Sequence, residues 1–104
     1  METSKPVRML CIYRVKEGRD GEFQSILEKH WPTLRRAGLA SERPARWFKG
    51  RGKDGNSCFI ELFEWKDEKA SDVAHETPEV MGVWEPMGDL TAGMEFIELE
   101  TPIA

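Results

Sequence analysis

The stretch CFIELFEW, Cys58 to Trp65, decides the fold. Its residues alternate between two faces, with Cys58, Ile60, Leu62 and Glu64 on one and Phe59, Glu61, Phe63 and Trp65 on the other. Apolar groups stand on both, so neither side can simply face water. A strand of this kind belongs inside a sheet that is covered twice, once by the chain's own helices and once by something else.

Working outward, Gly50 to Asn56 (GRGKDGN) contains Asp54-Gly55, a hairpin signal, and Arg46 to Lys49 before it reads as a short partner strand. Further upstream, RMLCIYRVK (Arg8 to Lys16) is a first strand, with Met9, Cys11, Tyr13 and Val15 on one side and Leu10, Ile12 and Arg14 on the other. Between these two strands lies a helix. Asp20 is placed to cap it, Phe23, Ile26, Leu27, His30, Trp31 and Leu34 recur at helical spacing, and Gly38 gives it a stop. Pro32 removes a backbone bond from that pattern, which predicts a kink or a break near Trp31.

Downstream, Lys66 to Glu76 reads as a short polar helix capped by Asp67. Thr77-Pro78 restarts a second segment, whose Val80, Val83, Trp84 and Met87 form a buried stripe. Pro86 and Gly88 are expected to end or bend it, leaving Trp84 on a segment that hangs over a cavity mouth as a lid. A last strand spans Met94 to Glu100, and Thr101 to Ala104 is expected to fray. The order β-α-β-β-α-β makes an α+β fold of the ferredoxin-like kind, a four-stranded antiparallel sheet with its helices on one face. The other face, bearing Phe59, Phe63 and Trp65 or their alternates, stays bare in a monomer. An apolar surface of that size marks an interaction site, so a homodimer closed sheet against sheet is expected.

A length of 104 residues fits one domain, spanning 1–104. A chain this short buries only about two-thirds of its unfolded surface, so four Trp, five Phe and five Met point to a partner surface or an enclosed pocket. The net charge of −4 removes the long-range attraction that nucleic acid or an anionic membrane needs, and neither is expected as a partner. Basic residues from Arg35 to Lys53 interleave with Trp47 and Phe48, but the chain from Asp54 onward is acidic and opposes single-strand binding. Met1 to Pro6 is polar and Arg8 and Arg14 interrupt the apolar run that follows, so there is no signal-peptide core. No run reaches the roughly 20 apolar residues of a membrane helix, and a cytoplasmic protein is expected. Cys11 and Cys58 lack neighbours at metal-ligand spacing and read as buried thiols. GRGKDG lacks the spacing and the following Ser or Thr of a phosphate loop, so neither flavin nor nucleotide is indicated.

Three segments resemble the dimeric α+β barrel proteins, and among them the antibiotic-biosynthesis-monooxygenase-like domains: VKEGRDGEF (Val15 to Phe23), ELFEWKDEKA (Glu61 to Ala70) and AHETPEV (Ala74 to Val80). The resemblance implies homodimers whose sheets form a barrel. The activities it brings into range are cofactor-independent monooxygenation of quinol-like aromatics, haem degradation and isomerisation. The haem-degrading branch uses an Asn on strand one with a Trp and then a His on the second helix. Here strand one has no Asn, and His75 and Trp84 stand in exchanged places, so haem is not expected and no cofactor or metal is assigned.

His75 is the leading candidate base, since imidazole titrates near neutral pH and could generate a phenolate or carbanion that reacts with oxygen unaided. Its structural alternative is a bond to a neighbouring carbonyl at the bend before Pro78. Glu61, alone among Phe59, Phe63 and Trp65, is a second catalytic candidate if its face lines an enclosed space, unless Arg14 neutralises it. Tyr13 could orient a substrate, though Tyr13 and Arg14 lie on opposite faces and only one points inward. Phe63, Trp65, Trp84 and Phe96 are candidate walls for a small aromatic ligand. His30, in the apolar register beside Trp31, reads mainly as a packing residue. Two functions remain in view, a cofactor-free monooxygenase and a non-catalytic small-molecule-binding or stress-associated protein, with an aromatic surplus used only for dimerisation as the third.

Overall fold

The computed structural model describes residues 5–103, so the expectations for Met1 to Ser4 and for Ala104 lie outside the described residues. The elements are β1 (Val7–Val15), α1 (Asp20–Arg36), β2 (Arg46–Arg51), β3 (Ser57–Trp65), α2 (Ala70–His75), α3 (Pro78–Asp89) and β4 (Thr91–Leu99). The four strands form one antiparallel sheet in the order β2-β3-β1-β4. This is the ferredoxin-like split βαβ arrangement, with the second crossover divided into α2 and α3. Register follows the alternation: Cys11 sits opposite Glu61 and Phe96, and Tyr13 opposite Phe59 and Met94.

The helix-facing side carries Cys11, Tyr13, Val15, Phe59, Glu61, Phe63 and Trp65, all buried, against Phe23, Leu27 and Leu34 of α1 and Val80 and Met87 of α3. The alternates therefore occupy the open side: Leu10, Ile12, Ile60 and Leu62 are half-buried there, and Phe48, Ile97 and Leu99 are exposed. Arg14 lies on this open side and pairs with Glu95 at 2.9 Å, which leaves Tyr13 as the residue that points inward.

Several local expectations change. Helix α1 runs unbroken through Pro32. A proline in a helix interior costs about 3 kcal/mol, and burial of Phe23, Leu27, His30 and Leu34 on one stripe outweighs it. Asp20 is the first helical residue and not the cap, and its carboxylate pairs with Lys49 at 3.1 Å. Gly38 ends the helix as expected: its φ of +75° favours glycine, and the N–H groups of Gly38 and Leu39 donate to the carbonyls of Arg35 and Leu34. Helix α2 starts at Ala70, with Asp67 accepting from the Lys69 N–H in the turn ahead of it. In α3 Thr77 and Pro78 take the cap and first positions, but the Thr77 hydroxyl donates back to the Val73 carbonyl. Helix α3 continues through Pro86 and Gly88 and ends one residue later, at Asp89, so Trp84 stands on a packed helix and not on a loose lid. Strand β4 begins at Thr91, three residues before the expected start, and its outer edge is unpaired.

Candidate functional site

Between the sheet and the helices lies a cavity of about 330 Å³. Its floor comes from β1, β3 and β4 through Tyr13, Phe63, Trp65 and Phe96, and its roof from His30, His75 and Trp84 on the three helices. Nearly all of this wall is apolar, the composition a small aromatic ligand needs. The four expected walls, Phe63, Trp65, Trp84 and Phe96, and also Tyr13 and His75, are thus brought together around one space. Phe96 is 58% exposed on the strand at the sheet edge, so the cavity opens beside β4.

Glu61 is 0% exposed and sits just behind the cavity wall. Three donors converge on its carboxylate. The Tyr13 hydroxyl donates to Oε1 at 2.7 Å, the Trp47 indole to Oε2 at 2.9 Å, and His30 Nδ1 lies 2.8 and 3.0 Å from the two oxygens. A carboxylate with this many donors is held in one rotamer, and hydrogen bonds to a charged acceptor are the stronger kind. Arg14, the neutralising partner considered from the sequence, is on the far side of the sheet. His30, read from the sequence as packing, is the centre of the network: it is 3% exposed, and its Nε2 accepts the Trp84 indole N–H at 2.8 Å. Because indole can only donate, Nε2 carries no proton in this arrangement, and the imidazole proton resides on Nδ1, facing Glu61.

Burial first, then the Glu61 carboxylate, holds Tyr13 well above its ordinary value of 10. Tyr13 is therefore a hydrogen-bond donor over the working range. Burial, with Glu61 as the second cause, pushes the Cys11 thiol up to about 12, so it is not a nucleophile at neutral pH. Cys58 is half-buried, and both cysteines are free.

His75 stands apart from this network. It is exposed at the cavity rim, its Nδ1 lies 2.8 Å from the Ser71 carbonyl, and its ring meets Trp84 edge-on with centroids 4.8 Å apart. The carbonyl accepts the Nδ1–H in a hydrogen bond, which leaves the Nε2 lone pair available at the rim. The structure does not join His75 to Glu61; Trp84 stands between His75 and His30. Among the described residues, no three side chains that commonly bind metals converge, and no helix is long and apolar enough to cross a membrane.

No protein-family model and no curated protein matches this sequence. Solved structures do match. A variant of SnoaB from Streptomyces nogalater, described as a cofactor-independent oxygenase, is 19% identical over 95% of each chain, with a TM-score of 0.74. A structure described as an antibiotic biosynthesis monooxygenase is 11% identical over 92% of this chain and 98% of the other, with a TM-score of 0.71. A conserved protein from Methanosarcina mazei Go1 is 13% identical over 93% of each chain, with a TM-score of 0.65. These likenesses establish the fold alone, the ferredoxin-like α+β fold that these structures share.

Proposed function

We propose that the protein is a cofactor-independent monooxygenase acting on a small quinol-like aromatic that lies in the cavity between sheet and helices. The observation that carries this reading is an aromatic-walled space with an imidazole Nε2 free at its rim and an ordered carboxylate cluster behind its wall. A phenol and dioxygen together give a quinone and water, so the substrate supplies all four electrons and no external reductant is needed. His75 takes the phenolic proton, an electron-rich phenolate then reacts with dioxygen, and the apolar walls keep bulk water from the intermediate. Glu61 fixes Tyr13 and His30, which shape the inner wall. The test is dioxygen uptake by the purified protein against a panel of quinols, expected at one dioxygen per hydroxyquinone formed, with water and not hydrogen peroxide as the other product, and much reduced in His75→Gln.

A non-catalytic binding or stress-associated protein is the second reading, favoured by the Trp84 N–H, which occupies the one lone pair His30 presents toward the cavity. Saturable ligand binding without dioxygen uptake would select it.

A homodimer belongs to the same proposal. Phe48, Ile97 and Leu99 are exposed beside Ile60 and Leu62 on the open side, a continuous apolar strip that a second sheet would cover. A solution mass of twice the chain supports it; a monomer at micromolar concentration contradicts it.

A further inference from the structure

The oxidation above takes two protons from the substrate and ends with both in water, and the rim imidazole carries one of them. The phenolic proton, once on His75, returns to the distal oxygen after a carbon–oxygen bond to dioxygen forms. The ring carbon that bears the resulting hydroperoxide must then lose its own proton. Its C–H electron pair becomes the second bond of the carbonyl, the O–O bond breaks, and the departing hydroxide, which already carries the phenolic proton, takes up the proton the carbon has lost and leaves as water. With the phenolic oxygen turned to His75 at the rim, a reacting carbon para to it lies deeper in the cavity, on the side lined by His30.

We infer that His30 and Glu61 form a second proton-accepting site at the inner wall, latched in the resting protein by the Trp84 indole. The geometry has the parts of such a site. His30 lines the cavity, its Nδ1 is oriented by both oxygens of Glu61, and Tyr13 and Trp47 hold that carboxylate from the other directions. A proton arriving at Nε2 makes an imidazolium whose charge lies against the Glu61 carboxylate, which stabilises the ion where it forms. Phe63 meets the imidazole edge-on with centroids 5.5 Å apart and keeps water off that side. The one group on Nε2 is the Trp84 N–H. That indole is only part-buried, makes no other hydrogen bond in the structure and lies among His75, Trp65 and His30, so a ligand that displaces it exposes the lone pair. His30 is the catalytic residue of this site and Glu61 its positioning residue.

The inference rests on the oxygenase reading for its purpose, but its test does not require turnover. The probe is 4-nitrophenol, buffered below its own pKa, added to His75→Gln protein with 15N-labelled imidazoles. Without probe, His30 is expected to be protonated on Nδ1 only. With probe, the visible absorption of the phenolate should appear and His30 should gain a proton on Nε2. His75→Gln/His30→Gln should form more than about tenfold less phenolate. Trp84→Phe, which keeps an aromatic wall but removes the N–H, should raise phenolate formation about fivefold, the worth of one neutral hydrogen bond. Resting protonation at Nε2, a probe bound only as the neutral phenol, or equal phenolate in the double variant would each overturn the inference. If His30→Gln fails to fold, the spectrum of His75→Gln and the Trp84→Phe comparison still decide. Phenolate formation on His30 in a protein that consumes no dioxygen supports the site and refutes the oxygenase; undiminished dioxygen uptake in His30→Gln does the reverse.

Discussion

Replacing Tyr13 with Phe removes one oxygen from the buried cluster and almost nothing else. The ring keeps its tilted contact with Phe23, with centroids 5.2 Å apart, and no cavity larger than a hydroxyl is created. What is lost is a 2.7 Å O–H···O bond to a carboxylate that is fully buried. Hydrogen bonds to charged groups are worth roughly 1.5–3 kcal/mol net, and Glu61 keeps His30 and Trp47 as donors, so the upper end of that range is not reached. A loss of about 2 kcal/mol follows, and at roughly 4–8 °C per kcal/mol for a domain of this size the Tm should fall by about 8–16 °C. Because burial keeps the phenol protonated far above neutrality, a measurement at pH 7 reads the donor alone. Urea unfolding followed by tryptophan fluorescence, at fixed protein concentration, gives the difference. Repeating it in a Glu61→Gln background should shrink the effect by about 1 kcal/mol, since the remaining acceptor is uncharged. A change below about 0.5 kcal/mol with an unchanged denaturant slope would mean the hydroxyl does not bond to the carboxylate, and the ordering of the inner wall would lose its basis.

Cys11 makes stability pH-dependent. Its thiol binds a proton more tightly folded than unfolded, so its contribution is complete below pH 9 and is lost as pH rises toward about 12. In that window the unfolding free energy should fall more steeply with pH than in Cys11→Ala, by about 1.4 kcal/mol per pH unit, and equal slopes would contradict the burial. Gly38→Ala forces a side chain into φ +75° and should cost about 1–2 kcal/mol by urea unfolding; a neutral outcome would place the end of α1 elsewhere. Pro32→Ala restores a helical N–H inside an unbroken α1 and should stabilise by about 1–3 kcal/mol, whereas destabilisation would show that the proline shape is needed. If two copies pair through the open sheet side as proposed, Ile60→Glu there should halve the sedimenting mass, and an unchanged mass would place the contact elsewhere.

The sheet and its topology were legible because alternation in β1 and β3 is strong and the hairpin between β2 and β3 is marked by Asp54-Gly55, with Gly55 at φ +85°. Which face turns inward was not legible, because both sides of β3 are apolar and Tyr13 and Arg14 merely alternate; only the packing of the helices puts Tyr13, Phe63 and Trp65 on the inner side. No break occurs at Pro32 because local propensity is set against tertiary burial, and burial along α1 is the larger quantity. The role of His30 was missed for a different reason. It shares its register with Phe23, Leu27 and Leu34, and read alone it is one polar residue on an apolar stripe. The usable signal was a coincidence across segments. Glu61 is likewise the one charged group on its aromatic face, and two such groups turned toward the same core must satisfy each other. Trp31 marks a remaining discrepancy, with a buried indole N–H that finds no acceptor.

The cavity's role as an aromatic site is tested most directly by methyl NMR of 13C-methionine protein titrated with 1-naphthol. Met9, Met87 and Met94 line the space, while Met81, on the same helix as Met87, does not. Ring-current shifts are expected at those three methyls, saturating with one common dissociation constant and leaving Met81 in place. Shifts spread equally over Met81, or absent from all four at millimolar naphthol, would contradict it.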